Sequence, residues 1–351
     1  MIEIVPVSFS DLCREGLEAR LSAFDPVRIA LVGDLSLDAY WKADMTKSEL
    51  SRETPHFPLP IVNEFYTPGA GGNVAANLSA LKPQSVFVLG VVGQDWRGDV
   101  LLKTLADKGL DSSFVIRHAR RVTNAYIKPI RRGLSDVEYE DPRLDFANYT
   151  PQPHELDAFM IEGILKLSDK VDVLCVADQF LYGCFTQEVR HALVELAGKG
   201  KRIVVDSRYH IADYPGCVLK PNELECANAI GLKDPYREHC LEEQAEMACA
   251  LSERTGSFVC MTLGARGCLI KKPEDNKIFF IKAIPVDPPI DICGAGDTFM
   301  SMLSCALAAG ADAVQAAALA NLASAVTIKK IGQTGTASRE EVLGMIDEVT
   351  G

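Results

Sequence analysis

Asp297 closes the run Asp291-Ile292-Cys293-Gly294-Ala295-Gly296-Asp297, where residue types and spacing together could do chemistry. The run follows a strand-like stretch, Lys277–Ala283, and a bend with Pro285, Pro288 and Pro289. It precedes the Ala/Leu-rich Thr298–Ala309, which reads as a helix. Glycines around an alanine let the backbone approach a ligand and aim several N–H groups one way, and the helix dipole adds positive potential. The expected occupant is an anion. Asp297 either caps the helix or takes a proton from a hydroxyl, and its own spacing leaves both readings open.

Other polar residues fall at strand ends. Asp34 and Asp38 follow the apolar run Val27–Gly33, Asp178 follows Val171–Ala177, Asp206 follows Arg202–Val205, and Lys220-Pro221-Asn222 follows Cys217–Leu219. Continuous apolar runs suit parallel strands covered on both faces, and ligands of such sheets collect beyond the carboxyl ends. Several acids on that edge imply a polar site, with metal assistance an option. Pro68-Gly69-Ala70-Gly71-Gly72-Asn73 leads into an Ala-rich helix without the Lys-Ser/Thr of a P-loop or the GxGxxG of a dinucleotide turn. Asn73 and Asn77 would share a helix face, unless Asn73 merely caps. Thr262-Leu263-Gly264-Ala265-Arg266-Gly267 reads as a glycine-flanked hairpin turn.

These residues need a scaffold. The alternation of strands and helices from His154 onward predicts a doubly wound, mostly parallel α/β sheet. Helices are expected over 97–108, 154–167, 186–199, 238–255, 298–309, 312–328 and 340–348, and strands over 85–92, 113–117, 257–262 and 268–271. Ser8-Phe9-Ser10-Asp11 reads as a capping box opening a helix to about Phe24. Residues 39–67 and 121–149 lack helical period. Thr123–Ile130 and Val137–Leu144 look like strands, so these two excursions predict a small β-sheet lid on a core of residues 1–38, 68–120 and 150–351. The lid edges offer a route to a homodimer.

The 351 residues carry a net charge of −12, which argues against nucleic-acid or anionic-membrane partners. Hydrophobic residues at 48% and aromatics at 7% fit an α/β enzyme. The 11 cysteines are scattered singly without CxxC, as expected of reduced thiols in the cytoplasm. The six histidines show no zinc spacing, and the charged first turns and interrupted apolar stretches predict neither a secretory signal nor a membrane span.

Taken in order, Gly33-Asp34 with Asp38, the glycine-Asn loop, Lys220-Pro221-Asn222-Glu223-Leu224-Glu225, the Thr262–Gly267 hairpin and Asp291–Asp297 resemble the ribokinase-like carbohydrate kinases, the PfkB family. The resemblance runs from about Val27 to Glu348. Within the family the chain is most similar to the kinase part of the bacterial D-glycero-β-D-manno-heptose 7-phosphate kinases, through Pro58–Val62, Asn73–Asn77 and Arg143-Leu144-Asp145-Phe146. It implies transfer of a phosphoryl group from ATP to a hydroxyl of a sugar or sugar phosphate. Asp297 would be the base, and the amides of Gly294, Ala295 and Gly296 would bind developing charge. Asn222 and Glu225 would order Mg²⁺ and its waters. Thr262, Gly264 and Gly267 would border the triphosphate, and Asn321 and Ser324 the adenine.

On the acceptor side, the resemblance places Asp38, Gly69, Ala70, Gly71, Gly72 and Asn73, with Arg143, Asp178 and Arg208. Asp291 and the Gly332–Ser338 loop, Ser338 included, resemble a site for a monovalent cation such as K⁺. Ile292-Cys293 replaces the family's usual Thr/Val-Thr, and Gly69-Ala70 its usual Gly-Gly. Of two lysines usual in the heptose kinases, one has no counterpart and the other becomes Arg208. A nucleoside kinase, or a sugar- or nucleotide-sensing protein of the same fold, is the alternative reading.

Overall fold

Every second residue of the strand Val173–Asp178 packs on one face of the main sheet. Val173, Cys175 and Ala177 join one core cluster, while Leu174 and Val176 join another. The neighbouring strand Arg28–Gly33 divides in the same way, with Ile29 and Leu31 against Ala30 and Val32. A strand apolar at every position is therefore one buried on both faces. The computed structural model describes residues 2–135, 137–332 and 334–350.

Across the main sheet the strands run Glu3–Val7, Lys277–Lys282, Gly267–Lys271, Phe258–Thr262, Val218–Leu219, Arg202–Ser207, Val173–Asp178, Arg28–Gly33 and Ser85–Leu89. Gly267–Lys271 is antiparallel to both its neighbours, and the other pairings are parallel. Helices Gly71–Ala80, Trp96–Asp107, Ala295–Ala308, Ala313–Thr327 and Arg339–Thr350 cover one face; His154–Ser168, Gln187–Gly198 and Leu241–Thr255 cover the other. From Arg28–Gly33 the chain winds first to Ser85–Leu89 on one side and later to Val173–Asp178 on the other. That reversal opens a crevice beyond the carboxyl ends of the two central strands.

A second sheet rises at this crevice. Leu35–Asp44 pairs antiparallel with Ile61–Ala70 and parallel with Asn124–Arg132, which also carries Glu138–Glu140 and Leu144–Phe146. Only Asp34 separates the main strand from this sheet, so divisions drawn at 38/39 and 67/68 fall inside strands.

Other expectations need correction. The helix predicted from Ser8 to Phe24 is a 3₁₀ turn, Phe9–Asp11, followed by the helix Arg14–Ser22; the Ser8/Asp11 capping box is present but closes the turn. The strand Glu3–Val7 was not expected, because Pro6 lies within it; as an edge strand it needs no N–H at that position. The run 85–92 divides into Ser85–Leu89 and Val91–Gly93, the latter pairing with Ile116–His118. The expected strand 137–144 is two three-residue strands, because Pro142 interrupts it. A short helix, Glu223–Ala229, was not anticipated.

Candidate active site

Where Arg28–Gly33 and Val173–Asp178 end, a cavity of about 220 Å³ lies between the two sheets. Asp38, Gly69, Ala70, Asn73, Arg143, Arg208, Gly294 and Asp297 line it, so eight of the residues singled out above meet at one place. Lys128, Tyr126, Gln179, Phe180, Cys293 and Thr334 complete the lining.

Asp297 forms part of the cavity floor. The helix Ala295–Ala308 begins after Gly294, which adopts φ +81° and has no side chain with which to cap. Asp297 is thus the third helical residue. Its Oδ2 accepts a 2.6 Å hydrogen bond from Nδ2 of Asn73, so the cap reading is overturned for both side chains. Asn77, one turn after Asn73, accepts from the Thr298 hydroxyl at 2.7 Å and donates to the Asn73 carbonyl at 3.0 Å. Helix Gly71–Ala80 therefore grips both Asp297 and its neighbour through the face that the i, i+4 spacing implied. Burial pushes the Asp297 carboxyl up to about 6, against the pull of the Asn73 amide. Of the expected anion-binding amides, Ala295 N–H already donates to the Ile292 carbonyl at 3.2 Å, which leaves the helix start at Gly296 as the better donor.

Ala70 joins Ile61–Ala70 to the helix with φ +49° and ψ −128°, a conformation natural to glycine. Such strain costs of order 1–3 kcal/mol, and here it sits on the cavity wall. Gly71 and Gly72 do not line the cavity. A Cβ on Gly71 would lie 2.8 Å from the Asp34 carbonyl, and one on Gly72 2.8 Å from Cβ of Pro68, so these glycines serve close packing.

Two aspartates are structural. Asp34 accepts from the backbone N–H of Gln179, Phe180 and Cys184 at 2.9, 2.8 and 2.7 Å, fixing the loop after the neighbouring strand. Asp178, expected at the substrate, is 1% exposed and outside the cavity lining; it accepts from the hydroxyls of Ser207 and Tyr214, each at 2.9 Å. Burial and the nearby Asp34 raise it to about 7.

Behind the floor, Lys220 Nζ lies 2.8 Å from Asp206 Oδ2. Asn222 and Glu225 form a reciprocal capping box: Glu225 Oε2 accepts from Asn222 N–H and Asn222 Oδ1 from Glu225 N–H, both at 2.8 Å. Burial, then Asp206, raises Glu225 to about 7. Among the described residues no group of three or more His, Cys, Asp or Glu could hold a metal. Glu225 is half-buried, and Mg²⁺ commonly binds through its waters and substrate phosphates with few protein ligands.

Thr262 pairs with Asn222 across an isolated bridge, and Gly264 and Gly267 carry positive φ in the hairpin. A Cβ on Gly267 would lie 2.0 Å from the Ile281 carbonyl. Arg266 is held by Glu223 at 2.8 Å and the His239 carbonyl at 3.0 Å. Asn321 donates to Cys268 Sγ at 3.5 Å. Ser324 donates to the Ala295 carbonyl at 3.1 Å, tying its helix to the Gly294–Asp297 turn.

At the expected cation site, both Asp291 oxygens accept backbone N–H bonds, from Cys293 at 3.0 Å and Gly332 at 3.1 Å. Ser338 is a helix cap, its hydroxyl accepting from Glu341 N–H at 3.2 Å and its own N–H donating to Glu341 at 2.8 Å. Asp291 and Ser338 are thus each engaged within the chain; Gln333, in the same loop, lies outside the described residues.

The small sheet supplies the opposite wall. Register pairs Asp38 with Tyr126 and Tyr40 with Lys128, so their side chains alternate together toward one face. Lys128 was missed in the sequence, although counting two residues on from Tyr126 would have found it. Its Nζ sits 3.2 Å from the Tyr40 hydroxyl and 4.7 Å from that ring, which stacks on Phe65. Arg143 lies over Tyr126 at 4.4 Å and grips Asp145 through two bonds. Burial raises the Asp38 carboxyl, opposed by Lys128 and Arg143.

Sheet order and crevice define the ribokinase-like class. Solved structures agree: phosphofructokinase-2 of Escherichia coli in complex with fructose-6-phosphate superposes with a TM-score of 0.71 at 17% identity, over 93% of this chain and 100% of that one. A ribokinase of Arabidopsis thaliana complexed with ribose and ATP gives 0.66 at 16%, over 91% and 98%. The model of the pfkB family carbohydrate kinases matches residues 62–339, and the chain belongs to that family. It is 30% identical over 322 residues to the bifunctional protein HldE of Bradyrhizobium sp. (strain ORS 278), covering 89% of this chain and 62% of that protein. HldE of Geobacter metallireducens is 28% identical over 342 residues, 94% of this chain and 65% of the relative. The chain therefore spans less than two thirds of the length of these relatives.

Proposed function

We propose that this chain transfers the γ-phosphoryl group of ATP to a hydroxyl of a sugar phosphate, with a heptose 7-phosphate as the leading acceptor. The observation that carries this reading is one cavity holding both Asp297, tethered by Asn73, and three cations, Lys128, Arg143 and Arg208. Asp297 takes the acceptor's proton as the hydroxyl attacks, and the helix start at Gly296 faces the charge on the transferred group. Asp38 accepts from acceptor hydroxyls, while the cations meet the acceptor's own phosphate. Mg²⁺, when bound with ATP, neutralises phosphate oxygens, and Asn222 and Glu225 would hold its waters. The Thr262–Gly267 hairpin would border the triphosphate, and Asn321 and Ser324 the adenine.

An ADP-release assay across hexoses, heptoses, their phosphates and nucleosides tests this. Sugar phosphates are expected to exceed the corresponding free sugars about 100-fold in kcat/KM, consistent with loss of a charge-assisted contact. Lys128→Met should raise the KM for the phosphorylated acceptor and leave kcat nearly unchanged. A preference for free sugars or nucleosides would reject the acceptor class.

The remaining expectations join this proposal. No described helix is long and apolar enough to cross a membrane, and all 11 cysteines are free thiols, which supports a cytoplasmic enzyme. Self-association through the small sheet is supported by exposed Ile61, Val62 and Leu144. Light scattering that finds a monomer at working concentration would remove it.

A further inference from the structure

Lys220 neither lines the cavity nor has a part in the chemistry above, yet the residue is only 3% exposed. It directly follows the strand Val218–Leu219. A buried ammonium is costly unless it is paired and hydrogen-bonded, and Lys220 is paired with the buried Asp206 at 2.8 Å. Its position is more telling than its pairing. A Cβ built on Gly296 would stand 3.9 Å from Nζ, which puts the charge directly behind the first turn of the helix Ala295–Ala308. Asp206, Glu225 and Asp297 all act on it electrostatically. Burial works against the ammonium, but these carboxylates hold it charged, well above the ordinary lysine value.

We infer that Lys220 is a positioning residue for phosphoryl transfer: from behind the Gly294–Asp297 turn it fixes the Asp206 carboxylate and adds positive charge where the transferred group's negative charge collects. The inference rests on the kinase reading. Water is largely excluded around Lys220, so its field is screened far less than that of an exposed cation. Without it, Asp206 would face the anion turn as a bare negative charge and oppose the group the turn must bind.

A purely structural role makes a different prediction, because neutralising Asp206 by other means would then be enough. Two variants separate the roles: Lys220→Met, and Lys220→Met combined with Asp206→Asn. For Lys220→Met, kcat is expected to fall about 10²–10³-fold, the range for losing one donor to developing charge. The KM of the acceptor and the Mg·ATP affinity by calorimetry should each move less than about threefold, since the interaction is stronger in the transition state. The double variant should recover the melting temperature lost by Lys220→Met, yet remain at least about 30-fold below wild type in kcat, because the positive charge is still missing. A double variant with wild-type stability and kcat within about threefold of wild type would overturn the inference. So would a Lys220→Met variant impaired only in acceptor KM. Failure of the kinase reading shows elsewhere, as a wild-type chain that turns over no acceptor, and would take the inference with it.

Discussion

Replacing Asp297 by asparagine is expected to lower kcat by about 10²–10⁴-fold, the contribution of a positioned general base, and to make the protein more stable at alkaline pH. Both effects have one cause. The carboxyl is raised from its ordinary 3.8 to about 6 by burial, so the folded state binds the proton more tightly than the unfolded chain. That contribution to stability is complete below about pH 4 and disappears as pH rises through 6. Above pH 6 the wild type holds an ionised carboxylate against burial. Asparagine removes that cost and should gain about 1–3 kcal/mol at pH 8, with no gain at pH 4.

The wild type's kcat/KM should show an acid limb near pH 6, because only the ionised form accepts the proton. Denaturant titrations at pH 4 and 8, beside the pH–rate profile, check each part. Turnover within tenfold of wild type, or an acid limb near pH 4, would remove Asp297 from the role of base.

Substitution of Asp34 by alanine is expected to cost about 2–5 kcal/mol, although Asp34 does not itself line the cavity. Its two oxygens satisfy three backbone N–H groups of the 179–184 loop, and the residue is 3% exposed. Alanine would leave the buried Cys184 donor without a partner, at about 1–3 kcal/mol, and the part-buried Gln179 and Phe180 donors without theirs at a smaller cost each. The loop is built around this carboxylate: a Cβ on Gly183 would lie 2.2 Å from Asp34 Oδ1. Gln179 and Phe180 line the cavity, so the loosened loop should also raise acceptor KM. Urea unfolding measures the first effect and steady-state kinetics the second. A loss under about 1 kcal/mol would mean that water or a rearranged loop replaces the bonds.

Apolar runs that admit only a doubly covered strand, and glycine turns that admit only a close backbone approach, are local facts. The main sheet, most of its helices and the Gly294–Asp297 turn were therefore legible in the residues themselves. So were the strand-end acids, because chain direction fixes which end of a parallel strand faces the crevice. Pairing was not local. Glu3–Val7 is a strand because Lys277–Lys282 lies beside it, and Pro6 concealed that in the sequence.

The division of labour among similar residues was decided in three dimensions. Asp34, Asp38 and Asp178 are alike as strand-end acids, yet Asp38 faces the cavity while the other two bind backbone and hydroxyl groups. Lys128 became a wall of the cavity through its register with Tyr40, and Lys220 came to stand behind Gly296 through a packing of strand and helix 76 residues apart in sequence. For Asp297 the sequence determined the turn, the anion-seeking amides and a carboxylate at a helix start. Only the tertiary structure set the cap reading aside, because that depends on Asn73, which lies 224 residues away and meets Asp297 only when two helices pack.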